Sequence, residues 1–470
     1  MTATTTMTMV DGVRVVVPDS LQLITPYVLR EQQDWFEDEI KVLRRLLQPG
    51  QKVIDIGANY GLYTLSIAKT VGPAGRVWAF EPASGTANLL RQSIAANGFS
   101  QVVLEQSALS SARGSALLSL HANSELNALV RDASPEGASE TVPVVTLDDC
   151  RERLGWRDIA FVKIDAEGEE ASILKGGGRF FAEESPLVLY EIKAGNDVRL
   201  ELADDFAALG YDSYRLVPGL DLLVPFDAAA PDAYLLNLFC CKRDCADRLA
   251  ARGFLLTPAA RDAGDARPNV PDRNAYGWRN TLGRMPYAAQ LGPAWERTMA
   301  TGTSSDVEQA LSLYALSRDS SVASAARFRA LEASFDLLTR LCERNASRLR
   351  LVSLARVARD YGARGVAVSA LEHLGNAILE GKRVDPGEPF LAPSPRFESL
   401  PIGPAMEDWV RAGVLEALEL LVHYSSFYTG PSARQRLELI ARIGLGSEEM
   451  ERRLRLLQQR FAVGDDKAGT

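Results

Sequence analysis

Apolar runs and amphipathic segments alternate along the chain from about residue 52 to 244. Short runs such as VIDIG, RVWAF, IAFVKID and PLVLYEI are separated by segments whose apolar residues recur at three- and four-residue spacing. This alternation is typical of βαβ units with a parallel sheet. The last two apolar runs, YDSYRLV and AYLLNLFCCKR, flank a turn and predict an antiparallel closing pair at the sheet edge. The pattern therefore predicts an α/β fold with a mostly parallel, Rossmann-like sheet.

The pattern changes on both sides of this segment and once within it. Before it, a short strand at 13–17 and one amphipathic helix across QQDWFEDEIKVLRRLL predict an N-terminal cap at 1–51. Within it, GSALLSLH and ETVPVVTL flank a polar stretch and predict an inserted hairpin with a mobile loop. Beyond the α/β domain at 52–245, we expect a Pro- and aromatic-bearing linker at 246–300, an all-helical domain at 301–462 and a flexible tail at 463–470.

Composition and charge narrow the classes of function. The net charge of the 470 residues is -9, and lysines and arginines are spread along the chain, which argues against a nucleic-acid binder. No apolar run reaches the ~18 residues that a membrane span needs, and the N-terminus lacks the pattern of a signal peptide. Five cysteines, odd in number and unevenly placed, predict reduced thiols. We therefore expect a cytoplasmic protein.

The run VIDIGANYG places an acid, Asp55, at the end of a buried strand, followed by Gly57 and Gly61 at the turn into a helix. Glycine suits a turn that a ligand approaches closely or that needs a positive φ. A dinucleotide site requires a middle glycine for the pyrophosphate, and here that position is Asn59. The motif thus favours a cofactor without phosphate, such as S-adenosylmethionine, over NAD. A merely tight strand-to-helix turn is the alternative.

Glu81 ends the next strand, RVWAFEP, 24 residues after Gly57. An acid at this place can accept hydrogen bonds from both ribose hydroxyls of a nucleoside, although a carboxylate before proline can also serve as a turn former. The third strand ends in Ser107 and Ala108, whose small side chains would leave room for an adenine ring. These three residues extend the predicted cofactor site.

In KIDAEG, Asp165 and Glu167 lie two residues apart at a strand end, so both carboxylates can converge on one methyl acceptor. A carboxylate base would remove the proton of a hydroxyl acceptor. Glu191, which ends the following strand, is a further candidate for holding the acceptor. Two alternatives stay open: Asp165 caps the next helix while Glu167 favours its N-terminus, or the three acids form a magnesium site.

These segments resemble the FkbM-type methyltransferase family over about residues 25–244. The resemblance rests on TPYVLREQQDWFEDEI, VIDIGANYGLYTL, VWAFEP, VVTLDD and, most specifically, VKIDAEGEEASILKGG. It implies a class I methyltransferase fold with S-adenosylmethionine as the cofactor. It also implies cofactor-binding roles for five residues, namely Asp55, Gly57, Asn59, Gly61 and Glu81.

By the same resemblance, Tyr63 and Thr64 line the cofactor pocket, and Asp165, Glu167 and Gly168 face the active site. This sequence departs from the family pattern at Lys193, where many relatives carry histidine, so proton transfer by a histidine at that position is in doubt. We assign Lys193 to the acceptor side.

Three other groups of residues have a functional and a structural interpretation. His121 and Asn123, in the inserted polar loop, either cover the acceptor or are solvated. Cys240, Cys241 and Cys245 lack the C-x-x-C or histidine pairs of a zinc site and indicate packed or surface thiols. The aromatics and arginines of 268–295 suit stacking on sugar rings or packing between domains.

The sequence thus predicts an S-adenosylmethionine-dependent O-methyltransferase acting on a sugar hydroxyl of a glycan or on a secondary metabolite, without a metal. Alternatives are an N-methyltransferase of a small amine, or a scaffold with a relict methyltransferase fold. The helical part resembles no family that we can name, and it suits a role in homo-oligomer formation or in binding a biosynthetic partner.

Overall fold

The computed structural model describes residues 3–130, 137–194, 197–262, 273–300, 305–379 and 385–465. The chain divides into two units that interleave in sequence. The first comprises Met1–Leu216, Pro225–Ala230 and Leu235–Leu255, and the second comprises Val217–Val224, Pro231–Tyr234 and Leu256–Thr470. Most of the predicted tail, 466–470, lies outside the described residues. No helix in the described part of the chain is long and apolar enough to cross a membrane.

In chain order, the elements up to residue 251 are β1 Thr4–Thr8, β2 Arg14–Pro18, α1 Ile24–Gln32, α2 Asp38–Leu46, β3 Lys52–Ile56, α3 Leu62–Val71, β4 Arg76–Phe80, α4 Ser84–Asn97, β5 Val102–Glu105, β6 Ala108–Leu109, β7 Gly114–Ser119, β8 Ala128–Leu129, β9 Ser139–Val145, α5 Leu147–Leu154, β10 Ile159–Ile164, α6 Glu170–Lys175, α7 Gly178–Glu183, β11 Leu187–Glu191, β12 Lys193–Ala194, β13 Asp197–Val198, α8 Glu201–Ala208, β14 Asp212–Val217, β15 Leu222–Pro225, β16 Asn237–Cys241 and α9 Arg243–Ala251.

The main sheet of the first unit follows the predicted alternation of strands and helices. Seven of its strands lie in the order β14-β16-β11-β10-β3-β4-β5. The pairs from β11 to β5 are parallel, whereas β16 runs antiparallel to both of its neighbours. The predicted antiparallel pair, β14 with β16, is therefore present, but β16 lies inside the sheet and not at its edge. Its five residues are all buried, as a central strand requires.

Buried aromatic side chains fill the core beneath this sheet. Trp156 is fully buried and contacts Trp78, Phe80 and Phe180 edge to face, with ring centroids 5.7, 6.1 and 5.9 Å away. Such pairs contribute about 0.5–1.5 kcal/mol each beyond their burial. This packing stabilises β4, the strand that Glu81 follows.

Two local predictions have structural outcomes. The inserted hairpin is confirmed, since β7 pairs antiparallel with β9. The single N-terminal helix is wrong in extent: α1 ends at Gln32, and Gln33 adopts a left-handed conformation with φ 60°. The chain then runs irregularly to α2, which begins at Asp38. Because this break turns the segment 33–37 away from a helical path, its side chains can reach the site described below.

The described part of the second unit is helical beyond Leu256. Its helices are α10 Pro258–Asp262, α11 Arg273–Tyr276, α12 Trp278–Thr281, α13 Pro286–Ala289, α14 Gly292–Ala300, α15 Ser305–Arg318, α16 Ser324–Arg344, α17 Arg348–Tyr361, α18 Arg364–Leu379, α19 Pro395–Glu398, α20 Met406–Leu421, α21 Gly430–Ile443 and α22 Glu448–Asp465.

The aromatic residues of the predicted linker lie in the core of this helical unit. Trp278, Tyr287 and Trp295 are buried. Tyr287 stacks on Trp409 with ring centroids 5.3 Å apart, and Trp295 donates a hydrogen bond from Nε1 to the carbonyl of Pro386 at 2.9 Å. These side chains are therefore occupied by packing within the unit, and stacking on a sugar ring is not available to them.

Candidate active site

One cavity opens at the C-terminal ends of β3, β4 and β10 in the first unit, the edge where parallel α/β sheets bind ligands. Its volume is about 1000 Å³, including the part open to solvent. Charged, aromatic and small side chains from the cap, the sheet and the inserted hairpin line it. They include Thr25, Trp35, Glu37, Asp55, Gly57, Asn59, Tyr60, Tyr63, Glu81, Ser107, Ala108, Ser124, Glu125, Asn127, Lys163, Asp165, Glu167 and Glu169.

The turn after β3 forms one wall of this cavity in a left-handed conformation. Gly57, Asn59 and Gly61 have φ values of 78°, 49° and 91°. A Cβ atom on Gly57 would lie 1.7 Å from the carbonyl oxygen of Asp165. The glycine is therefore required by the close approach of the chain after β10, a cause that differs from the ligand approach expected from the sequence.

Glu81 lies at the end of β4, buried against the same turn. Its Oε2 accepts a hydrogen bond from the backbone N–H of Asn59, and its Oε1 accepts one from Ala83, both at 2.9 Å. Burial raises the pKa of Glu81 to about 7, although these two hydrogen bonds oppose the shift. Each carboxylate oxygen keeps a further lone pair that can accept a hydroxyl of a ligand.

Two buried polar atoms at the cavity wall have no hydrogen-bond partner among the described residues: Asp55 Oδ1 and Ser107 Oγ. The other oxygen of Asp55 accepts a hydrogen bond from the Thr64 hydroxyl, so Thr64 supports Asp55 and is not itself in the lining. A buried polar group left unpaired costs about 1–3 kcal/mol. These two atoms, with Glu81, therefore suit the polar groups of a nucleoside cofactor such as S-adenosylmethionine.

Three carboxylates converge beside the cavity. One oxygen each of Asp165, Glu167 and Glu191 lies within 4.8 Å of the others. Asp165 and Glu167 line the cavity, whereas Glu191 is half-buried and is not among the lining residues. Desolvation and the neighbouring acids, Asp165 foremost, raise the pKa of Glu167, an exposed residue of the lining, to about 8 and that of the half-buried Glu191 to about 10. The set can therefore accept and donate protons near neutral pH, and its hard oxygen atoms also suit a divalent cation.

The local chain explains how these acids are presented. Glu167 has a left-handed φ of 48°, so the chain leaves the extended conformation directly after β10. Helix α6 begins at Glu170, and its N-cap residue is Glu169, with no side-chain capping bond. Glu170 accepts hydrogen bonds from the backbone N–H groups of Ala166 and Gly168 at 3.0 and 3.2 Å. Glu170 thus stabilises the turn and leaves Asp165 and Glu167 directed at the cavity.

Several lining residues of the site were not predicted from the sequence, and four of them carry ionisable or hydroxyl groups of interest. Lys163, Glu37, Tyr60 and Glu125 all border the cavity. Lys163 could have been found from its position, because it precedes Asp165 by two residues in a strand and a lysine among buried apolar residues is unusual. The other three come from the cap, the turn and the inserted hairpin, and no local motif marks them.

Three predicted acceptor-side residues are not among the lining residues. His121 is exposed, and its backbone N–H donates to the side chain of Asn127 at 2.8 Å. Asn123 Oδ1 accepts a hydrogen bond from the backbone of Ile24 at 2.9 Å, which ties the inserted hairpin to α1. Lys193 is half-buried at the start of β12. The structure therefore places these three beside the site, outside the cavity itself.

The cysteine cluster contains reduced thiols. Cys240 and Cys241 end β16, and Cys245 lies in the first turn of α9. All three are buried and free of disulfides. Packing therefore accounts for them.

Comparison with known proteins identifies the segment that carries the site. Residues 55–212 match the family model described as Methyltransferase FkbM domain, and no curated protein matches. Among solved structures, the FkbM methyltransferase from Methylobacillus flagellatus is 18% identical and aligns over 43% of this chain and 50% of that chain, with a TM-score of 0.28. An O-methyltransferase from Bacillus cereus in complex with SAH is 14% identical and aligns over 44% of this chain and 80% of that chain, with a TM-score of 0.27. An rRNA methylase from Streptococcus thermophilus is 9% identical and aligns over 43% of this chain and 93% of that chain, with a TM-score of 0.26.

The family match confirms the resemblance predicted from the sequence for this segment. The parallel strand order from β11 to β5 and the antiparallel strand β16 agree with the predicted class I methyltransferase fold, and the helical part completes the predicted fold class. The domain is that of an S-adenosylmethionine-dependent methyltransferase.

Proposed function

We propose that this chain, through its FkbM methyltransferase domain, methylates a hydroxyl group of a neutral, polyhydroxylated acceptor such as a sugar of a glycan or a secondary metabolite. The observation that carries the proposal is that one cavity contains both a nucleoside-binding set, Glu81 and Ser107, and a proton-accepting set, Asp165 and Glu167. Cofactor and acceptor would thus meet in a single space.

At the cofactor end, the residues bind and orient. Glu81 accepts the ribose hydroxyls with the lone pairs that its two backbone partners leave available. Asp55 Oδ1 and Ser107 Oγ, which have no hydrogen-bond partner among the described residues, form hydrogen bonds with polar groups of the same ligand. When bound by these residues, S-adenosylmethionine would supply an electrophilic methyl group on its sulfonium sulfur, with S-adenosylhomocysteine as the leaving group.

At the acceptor end, the carboxylates divide the proton work. Glu167, whose pKa is raised to about 8, takes the hydroxyl proton in its ionised form as the C–O bond forms. Such general-base catalysis contributes about 10²- to 10⁴-fold when the pKa lies near the operating pH. Glu191, whose pKa is raised to about 10, stays protonated at neutral pH, so it adds no negative charge to the cluster. Asp165, which is paired with Lys163 at 2.7 Å, orients the acceptor.

The charge of the cavity supports a neutral acceptor. Its described lining contains seven carboxylates, those of Glu37, Asp55, Glu81, Glu125, Asp165, Glu167 and Glu169, and one ammonium, that of Lys163. Although the raised pKa values of Glu81 and Glu167 leave part of this set protonated near neutral pH, acidic groups still outnumber the ammonium. Uronic acids, phosphates and nucleic acids are therefore disfavoured as acceptors. A small amine is the second candidate, because the same carboxylates attract a cation.

Transfer of a tritiated methyl group from S-adenosylmethionine to a panel of methyl glycosides tests the proposal. The panel contains neutral sugars, an amino sugar and a uronic acid of matched size. We expect labelling of a neutral sugar, and a fall of about 10²-fold or more in Glu167→Gln. Glu152→Gln, a substitution of an exposed glutamate on α5, is the matched control. Labelling of the uronic acid alone, or full activity of Glu167→Gln, would contradict the proposal.

A further inference from the structure

Lys163 lies in the middle of the sheet, where lysine is rare. It occupies β10, opposite Asp55 of β3 on one side and Leu189 of β11 on the other. Its side chain is only 7% exposed. Since a buried ammonium must be paired to be tolerated, its partners define its role.

Acidic and aromatic groups from four segments face this ammonium. Its Nζ donates a hydrogen bond to Asp165 Oδ2 at 2.7 Å and lies 5.0 Å from the centroid of the Tyr63 ring on α3. Asp55 on β3 and Glu37, in the segment before α2, interact with it electrostatically. Burial alone would lower the pKa of Lys163, but the charges of Asp165 and Asp55 outweigh it and raise that pKa. Lys163 therefore remains a cation.

Glu37 connects this group to the N-terminal cap. The hydroxyl of Tyr63 donates a hydrogen bond to the Glu37 carboxylate, and the face of the same ring contacts Lys163. Glu37, Tyr63, Lys163 and Asp165 thus form a continuous row along the cavity wall. A displacement of the ammonium would be felt at both ends of this row.

We infer that Lys163 is a positioning residue, whose ammonium fixes the Asp165 carboxylate at the acceptor end of the cavity. Asp165 is 38% exposed and follows the last residue of β10, so its side chain has freedom that the 2.7 Å ion pair removes. Glu167 is then left to take the proton. This inference rests on the proposed hydroxyl methylation and goes beyond it by naming the residue that holds the acceptor carboxylate in place.

The first test separates positioning from cofactor binding. In Lys163→Met we expect kcat for the labelled glycoside to fall about 10²-fold, because a misplacement of ~1 Å has an effect of that size. The Kd for S-adenosylmethionine should change less than kcat does, since Asp55 is the one member of the cofactor set among the groups described as facing Lys163. Lys52→Met, which removes a lysine of β3 that donates a hydrogen bond to the carbonyl of Arg157, is the control. Wild-type kcat in Lys163→Met would overturn the inference.

A double-variant cycle tests whether the pair acts as a unit. If Lys163 works through Asp165, the variant that combines Lys163→Met with Asp165→Asn should lose about as much kcat as the worse single variant, about 10²-fold. Multiplied losses of about 10⁴-fold would refute the coupling. The double variant leaves no unpaired Asp165 charge, so it also covers the case in which Lys163→Met fails to fold. Lys163→Arg, which keeps the cation, should recover part of the activity, and the absence of recovery would count against a charge-based role.

A third measurement needs no acceptor and separates failure of this inference from failure of the proposed function. Desolvation and Asp165 raise the pKa of Glu167, and Lys163 lowers it; with all three effects present that pKa is about 8. With glutamate labelled by ¹³C at the side-chain carboxyl and the signal assigned from Glu167→Gln, Lys163→Met should move the Glu167 titration midpoint above about 8. An unmoved midpoint would refute the role of Lys163 even if no glycoside is methylated. A raised midpoint without methyl transfer would refute the proposed function alone.

Discussion

Replacing Gly57 by alanine tests the interpretation of the turn that supports the cavity. The residue combines a φ of 78° with a would-be Cβ only 1.7 Å from the Asp165 carbonyl oxygen. No side chain can rotate away from this contact, because both atoms belong to the backbone or to its first side-chain carbon. The chain after β10 must therefore move, and Asp165 moves with it.

The magnitude follows from two separable terms. A left-handed conformation costs a non-glycine residue about 1–2 kcal/mol. Forcing an extra methyl group into a packed site costs about 1–3 kcal/mol more. We therefore expect Gly57→Ala to lower the free energy of unfolding of the first unit by about 2–5 kcal/mol, and to reduce methyl transfer by displacing Asp165.

Two other glycines supply matched controls, measured by scanning calorimetry of the full chain. Gly98 has a φ of 68° and nothing within 4 Å of its would-be Cβ, so Gly98→Ala isolates the conformational term of about 1–2 kcal/mol. Gly85, in α4, has neither a positive φ nor a close neighbour, so Gly85→Ala should stabilise by about 0.5–1 kcal/mol. If Gly57→Ala destabilises no more than Gly98→Ala, the steric reasoning is refuted.

Three further predictions concern ionisation and packing. Because Glu81 has a pKa of about 7 and binds ribose as a carboxylate, the affinity for S-adenosylmethionine should rise up to about tenfold between pH 6 and pH 8, and Glu81→Gln should abolish this dependence in titration calorimetry. Folding raises the pKa of Glu191 from 4.5 to about 10, so the stability that its protonated form contributes is lost as the pH rises from 4.5 to 10. Glu191→Gln should therefore increase Tm more at pH 9 than at pH 5. An equal increase at both pH values would contradict the raised pKa. Trp295→Ala should lower the free energy of unfolding of the helical unit by about 3–5 kcal/mol, seen as a lower Tm for that unit. A loss of stability no larger than that of an alanine substitution at an exposed position would contradict the burial of Trp295.

The strand alternation and the acids at strand ends were readable from the sequence because both follow from local pattern. Asp55, Glu81 and Asp165 end buried runs, and parallel strands bring their C-terminal ends to one edge. Gly57 was found by the same means, although the reason for it is a contact with a segment more than 100 residues later. That contact is invisible in a local motif.

Residues contributed by distant segments escaped the sequence reasoning. Glu37 reaches Tyr63 only because the cap breaks at Gln33, where the pattern predicts a continuous helix. Glu125 of the inserted hairpin lines the cavity, whereas the side chain of nearby Asn123 accepts a hydrogen bond from the backbone N–H of Ile24, the first residue of α1. Which side of such a loop faces a ligand depends on tertiary contacts, and hydrophobic periodicity does not contain that information.

Calorimetric titration of the full chain with S-adenosylmethionine tests the central claim most directly. The wild type should bind, and Glu81→Ala should weaken binding by about tenfold or more, because it removes an acceptor of two hydroxyl hydrogen bonds. Glu152→Ala, a change at a glutamate whose side chain is 81% exposed, should leave the Kd unchanged. Absence of binding by the wild type, or equal Kd values for Glu81→Ala and the wild type, would contradict the cofactor assignment and, with it, the account of the site.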